Sequence, residues 1–151
     1  MSTATKSIAS VLNSLIETCK DGQEGFRSAF QDVKNVDLKS LFSELSMQRQ
    51  QFAGELQTLV RDLGEEMETE GTFGAAFRRG WMDLKAALTD GKEHGILVEC
   101  ERGEDVAVAE YREALEHDDL PPDIRNVIQQ QYMVVQASHD RIRDLRDRFE
   151  E

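Results

Sequence analysis

The sequence has few of the residues that break helices or form disulfides. Its 151 residues include ten glycines and only two prolines, Pro121 and Pro122, which are adjacent. Long stretches therefore carry no helix breaker, which favours long helices. The two cysteines, Cys19 and Cys100, are too few and too far apart to form a disulfide framework. Free thiols are typical of a reducing compartment, so we expect a cytoplasmic protein.

Basic residues are also scarce relative to acidic ones. Lysine and arginine total 18 against 30 aspartates and glutamates, for a net charge of −12. This balance argues against nucleic acid and against an anionic membrane surface as partners, because both would repel the chain. No apolar run approaches the roughly 18 residues that a membrane span needs. We therefore expect a soluble, acidic protein with a single domain over residues 1–151.

Apolar residues recur every three or four positions through most of the chain, which is typical of amphipathic helices. The pattern predicts helices over about 5–33, 37–66, 73–88, 93–116 and 122–148. Asp37 is a suitable N-cap for the second of these, and the adjacent prolines suit the first turn of the last. The predicted fold class is all-α: a bundle of four long helices, with a short extra helix in the connection between long helices two and three.

That connection leaves two topologies open. If it runs along the bundle from one end to the other, long helices two and three are parallel and the bundle has one crossover. If the short helix folds over one end, the bundle is a plain up-down-up-down arrangement. The short segment has one apolar face, which favours packing along the bundle and so the crossover. That face comprises Phe73, Phe77, Trp81, Leu84 and Leu88.

Three polar residues interrupt the apolar stripes near the middle of their helices. They are Gln48, Glu104 and Gln131. A buried polar layer penalises slipped helix pairings, because unpaired buried polar atoms are costly. We therefore predict that these residues form a hydrogen-bonded layer that fixes the register of the helices.

Polar residues inside a bundle also raise the question of metal binding. Di-iron and di-manganese bundles use a glutamate from each of two helices and Glu-x-x-His from each of the other two. Here the last helix has Gln136 three residues before His139, so an amide stands where the carboxylate is needed. Glu101, Glu104 and His139 are the remaining candidate ligands. This incomplete set predicts no cofactor, with iron or manganese as the alternative, and no catalytic residues are predicted.

Four segments resemble a known family. They are Leu12–Phe26 (LNSLIETCKDGQEGF), Gly80–Leu88 (GWMDLKAAL), Glu99–Val108 (ECERGEDVAV) and Gln129–Arg146. Together they are similar to a bacterial group of ferritin-like four-helix-bundle proteins of unknown function. The resemblance covers nearly the whole chain, and the Gly-Trp-Met-Asp-Leu-Lys string is its most specific part. It implies a ferritin-like bundle with a crossover between long helices two and three, and it implies no established activity.

The chain departs from the iron-binding members of the ferritin-like group at Gln48, Gln51 and Gln136. Only Glu104 and His139 match the ligand types of those relatives. The leading hypothesis is therefore a non-catalytic cytoplasmic bundle with a stress-related role, acting through a protein partner or self-association as a homodimer. The alternative is a divergent ferritin-like metal-binding or redox protein with an incomplete carboxylate and histidine site.

Overall fold

The computed structural model of the protein describes residues 3–65, Trp81, Leu84, Ala87 and residues 92–150. Within these residues the fold is four long helices without a strand, which confirms the predicted all-α four-helix bundle. The helices are α1 (Thr3–Asp32), α2 (Val36–Asp62), α3 (Glu93–Leu115) and α4 (Pro122–Arg148). The short helix predicted over 73–88 falls, apart from three positions, outside the described residues.

The ends of α2 differ from the prediction in two respects. Asn35 caps its N-terminus, with its side-chain oxygen accepting a hydrogen bond from the backbone N–H of Leu38 at 3.0 Å. The cap predicted at Asp37 is therefore wrong, and Asp37 lies in the first turn, where its negative charge suits the helix dipole. The helix ends at Asp62 rather than at residue 66. Gly64 follows with a φ of 78°, a left-handed conformation that glycine adopts easily and that ends helices.

The turn between α3 and α4 is held by the first residues of α4. Pro122 occupies the first turn of the helix, where its missing N–H costs nothing. Arg125 donates hydrogen bonds to the backbone carbonyls of Leu115 and His117, which lie at and just beyond the end of α3. Because the last carbonyls of a helix have no partner inside it, this guanidinium joins the two helices of the second hairpin.

The core consists of two apolar clusters, one at each end of the bundle. The first combines the early parts of α1 and α4 with the late parts of α2 and α3. The second combines the late parts of α1 and α4 with the early parts of α2 and α3. The first includes Ile8, Leu12, Leu56, Val60, Tyr111, Ala114, Ile124 and Ile128. The second includes Phe26, Val33, Leu38, Leu41, Ile96, Leu97 and Ile142.

This distribution settles the topology. Since α2 finishes at the first end and α3 starts at the second, the chain between them passes from one end of the bundle to the other. Helices α2 and α3 are therefore parallel, and each hairpin is antiparallel. The prediction of a crossover is confirmed, and the up-down-up-down alternative is wrong.

Trp81, on the crossing connection, fills a slot between two helices. Its side chain is buried, and its ring meets that of Phe26 edge-on at 5.1 Å between centroids. Gly25 of α1 lies against one part of the indole and Gly103 of α3 against another. A Cβ atom at either glycine would lie within 3.0 Å of indole carbons. The two glycines therefore let the connection insert its tryptophan between α1 and α3.

Candidate functional site

A buried ion pair occupies the middle of the bundle. Arg49 of α2 and Glu104 of α3 have side chains that are 1% and 0% exposed. The guanidinium donates two parallel hydrogen bonds to the carboxylate, at 2.6 Å from Nη1 to Oε1 and at 2.8 Å from Nη2 to Oε2. This two-pronged geometry is the strongest that a guanidinium and a carboxylate can adopt.

Three further residues contact the Arg49 guanidinium. Ser138 of α4 accepts from Nη2 at 2.7 Å and donates to Glu104 at 2.6 Å. Gln48 accepts from Nε at 3.1 Å, and the Phe26 ring lies 5.4 Å from the guanidinium carbon. All four helices therefore meet at one cation. Gly22 of α1 lies alongside Arg49, and a Cβ there would be in van der Waals contact with it, 3.4 Å from Cγ.

Arg49 is charged in the folded protein. Burial lowers the pKa of Arg49, but the adjacent Glu104 carboxylate raises it more, and the pKa ends above its ordinary value. Removing one member of such a pair leaves an uncompensated charge in the core, at a cost of about 3–5 kcal/mol. The ion pair therefore ties the pairing of α2 with α3 and α4 to one register.

The same contacts decide whether the centre fits a pair of metal ions. Among the described residues that accept a hydrogen bond from the guanidinium, Glu104 is the only carboxylate, and both of its oxygens already accept from Arg49. A di-metal centre needs several anionic ligands converging on the space between the helices. Here a guanidinium fills that space, so the centre of this bundle does not fit a di-metal group.

A second polar set lies beside the ion pair. The Tyr111 hydroxyl of α3 donates to Gln131 of α4 at 2.7 Å and lies 3.1 Å from the Cys19 sulfur of α1. The Gln131 amide in turn donates to Glu55 at 2.8 Å and to the backbone carbonyl of Phe52 at 3.3 Å, both on α2. This set also joins all four helices. It satisfies polar atoms that would otherwise be buried without partners.

The buried thiol in this set is unreactive at neutral pH. Burial raises the pKa of Cys19 to about 11, with only a partial offset from the hydrogen bond to Tyr111. Burial likewise raises the pKa of Tyr111 well above its ordinary value. Since the thiolate is the nucleophile and metal ligand, Cys19 acts here as a small core residue.

A third polar set lies on the outer side of the α3–α4 pair. His139 of α4 places Nε2 2.6 Å from Asp105 and Nδ1 3.1 Å from Asp140. Glu101, one turn before Asp105, accepts from Arg146 and belongs to the same group. Burial lowers the pKa of His139, but its hydrogen bonds to Asp140 and Asp105 raise it more, so the pKa lies above its ordinary value.

Among the described residues, neighbouring stretches of α2 and α4 form a surface without charged side chains. From residue 45 to 54 of α2 the only charged residue is Arg49, which is buried, and from 126 to 138 of α4 there is none. The two stretches are neighbours, because Arg49 contacts Ser138 and Gln131 contacts Phe52. Their exposed side chains define the uncharged α2–α4 face. It comprises Met47, Gln50 and Gln51 of α2 and Asn126, Gln130, Met133, Val134 and Ala137 of α4. Gln129 and Gln136, three residues before Tyr132 and His139, lie towards α3 instead.

The residues selected from sequence are distributed over these sets. Glu104 belongs to the central ion pair, with Gln48 half-buried at its edge, and Gln131 belongs to the neighbouring set. Of the three metal candidates, the structure brings Glu101 and His139 together on the outer side of the bundle, whereas Glu104 points to the interior.

Sequence reasoning missed two residues that complete these sets. Arg49 fits the apolar spacing of α2 as well as Gln48 does, since it lies four residues after Leu45 and three before Phe52. Its charge argued for the surface, and no local signal shows the buried carboxylate that pairs with it. The sequence does contain a signal for Asp105, because it lies four residues after Glu101 and so shares the helix face of that candidate ligand.

A family model matches residues 7–117, and the chain belongs to that family, which is described as a domain of unknown function, DUF2383. No curated protein is a significant match to the chain. The predicted membership of a group of unknown function is thereby confirmed, and the assignment of that group to ferritin-like proteins stays a prediction. Over the part of the chain that is described, no helix is apolar and long enough to cross a membrane.

Proposed function

We propose that this member of the DUF2383 family is a non-catalytic, cytoplasmic bundle that acts by associating with a second copy of itself through the uncharged α2–α4 face. The observation that carries the proposal is the lack of charge on this face in a chain with a net charge of −12. The central ion pair supports a structural role for the interior, because its polar groups are already paired with one another.

The composition of the face resembles the centre of a protein interface. Such centres are depleted in charged residues and enriched in methionine, and a polar rim surrounds them. Met47 and Met133 are 67% and 62% exposed, although methionine is usually buried. Glu44 and Arg141 form an exposed ion pair beyond one end of the face, at 3.7 Å, and Glu55 lies at the other end.

The dimensions of the two helices suit a dimer. Helices α2 and α4 have 27 residues each, which makes them about 40 Å long. Two helices packed about 10 Å apart present a strip about 20 Å wide. The whole strip offers about 800 Å², which is the area that each partner contributes to a stable interface of standard size. The uncharged face, at about 15–20 Å along the helices, makes up about half of this strip, and the charged ends of the helices would supply the rim.

Electrostatics explains why a second copy would choose this face. Two copies that each carry −12 repel one another, and the repulsion is smallest where no carboxylates come close. A two-fold axis through the face would bring the same neutral surfaces together from both copies. Because salt screens the remaining repulsion, we expect the association to strengthen as ionic strength rises.

Analytical ultracentrifugation of the full chain over a range of concentrations tests the proposal. We expect a dimer for the wild type, and at least about tenfold weaker association for Met47→Glu and Met133→Glu, since two-fold symmetry places two unpaired carboxylates in the interface. Val36→Glu is the matched control, because Val36 is 77% exposed but lies outside the face. A wild type that is monomeric at every concentration, or an equal effect of Val36→Glu, would refute the proposal.

The predicted stress-related role stays a prediction.

A further inference from the structure

The outer side of the α3–α4 pair brings together three side chains that are metal ligands in many proteins. Glu101 and Asp105 lie one turn apart on α3 and share a face, and His139 of α4 lies opposite them. One ligand atom from each residue lies within 4.8 Å of the other two. The Glu101 and His139 side chains are only 12% and 18% exposed, whereas Asp105, at 62%, leaves the group open to water.

His139 is oriented by a fourth residue. Its Nδ1 is 3.1 Å from Asp140 Oδ1, while its Nε2 is directed at Asp105, at 2.6 Å. In metal sites, a carboxylate on the far ring nitrogen holds the tautomer and the ring orientation of the ligating histidine. Asp140 therefore stands in the place of such a supporting carboxylate. Without an ion, Nε2–H donates to Asp105, and a bound ion would displace that proton and take the lone pair that it leaves.

We propose that Glu101, Asp105 and His139 form a surface site for one divalent transition-metal ion, of which zinc is the representative. One imidazole and two carboxylates suit zinc, cobalt or nickel, whereas calcium and magnesium prefer oxygen ligands alone. Bonds of about 2.1 Å place two ligands of one ion about 3.0–3.4 Å apart. The group reaches that geometry if Asp105 and His139 separate slightly and Glu101 moves inward.

Arg146 is the main competitor for the ion. Its guanidinium donates to Glu101, and it also makes two hydrogen bonds to Asp147, at 2.8 and 3.1 Å. When an ion takes Glu101, the guanidinium keeps its contacts with Asp147 and is not left unpaired. The exchange lowers the affinity without forbidding binding, so we expect micromolar dissociation constants.

The site is distinct from the centre of the bundle and goes beyond the proposed self-association. Glu104, the residue just before Asp105, points inward to Arg49, because neighbouring helix positions differ in direction by about 100°. The three ligands and the uncharged α2–α4 face are separate groups of residues, so the failure of one proposal does not imply the failure of the other.

Titration of the metal-free full chain with zinc, in competition with a chromogenic chelator, tests the proposal. We expect one ion per chain, and a loss of affinity of at least about tenfold in His139→Gln and in Asp105→Asn. Asp140→Asn is expected to weaken binding by about 10–100-fold through the orientation of the histidine. His117→Gln is the matched control, since His117 lies beyond the end of α3, and it should bind as the wild type does.

Cobalt provides a second readout that does not depend on folding of the variants. Cobalt bound by the wild type should give d–d absorption, and its paramagnetism should broaden the NMR signals of Asp105 and His139 before those of His117. Millimolar zinc binding by the wild type, equal losses in His117→Gln, or broadening centred on other residues would overturn the proposal.

Discussion

Gly103→Ala is expected to destabilise the protein, although the same change usually stabilises a helix. Alanine is favoured over glycine in a helix interior by about 1 kcal/mol. At this position, however, the new Cβ would lie within 3.0 Å of the Trp81 indole. The indole has no room to retreat, because Gly25 of α1 lies against it as closely.

The size of the effect follows from the two ways in which the structure can respond. Keeping the tryptophan in an overfilled slot costs about 1–3 kcal/mol or more. Expelling it forfeits the burial of a side chain that is 3% exposed, at about 3–5 kcal/mol. After the helix gain of about 1 kcal/mol is subtracted, the first response leaves a loss of about 0–2 kcal/mol and the second a loss of about 2–4 kcal/mol in the free energy of unfolding.

Urea denaturation followed by circular dichroism measures this loss. Trp81 is the single tryptophan of the chain, so the wavelength of its fluorescence emission reports whether it stays buried. Gly54→Ala is the matched control, since no atom lies within 4 Å of a Cβ at that helical position. It should stabilise the protein by up to about 1 kcal/mol.

The effect of Gly103→Ala on the free energy of unfolding should change sign when the indole is removed. In a Trp81→Ala background the obstacle is gone, and Gly103→Ala should become neutral or stabilising. If Gly103→Ala destabilises the protein equally in both backgrounds, or stabilises the wild type as Gly54→Ala does, the indole is not what requires glycine there.

Two further predictions concern the interior. Arg49→Met should lower the free energy of unfolding by about 3–5 kcal/mol in urea denaturation, because it leaves the Glu104 carboxylate buried without its counter-charge. The double variant Arg49→Met with Glu104→Leu should recover most of the loss, and an additive loss would contradict the ion pair. The thiol of Cys19, with a pKa of about 11, should not react with a thiol reagent at pH 8 in the native protein and should react in urea. Rapid reaction of Cys19 in the native protein would show that the core around it opens.

The long helices could be predicted from sequence because each depends on a periodic pattern. The stripe from Ile8 to Val33 and the adjacent prolines before α4 are local signals, and the helices follow them closely. The crossover followed from the length of the connection and its apolar face. The cap of α2 could not be placed reliably, since Asn35 and Asp37 are both good capping residues and the turn geometry decides between them.

The candidate sites were harder to predict because they depend on which of two adjacent polar residues points into the bundle. A turn of about 100° separates Gln48 from Arg49, and Glu104 from Asp105. In each pair both residues are polar, so composition gives no preference for the one that points inward. The choice is made by tertiary contacts: Arg49 is held by Glu104 of α3 and Ser138 of α4. These contacts join residues that are far apart in the chain, and a single sequence does not show them.

The central cation of this bundle has a consequence for how the protein is made. In a bundle built around bound ions, completion of the core depends on the supply of those ions, and a chelator can reverse it. Here the guanidinium of Arg49 is synthesised with the polypeptide, so every finished chain holds one central cation whatever the growth medium contains. The positive charge at the centre of the bundle is therefore encoded in the sequence and does not depend on a supply of metal ions.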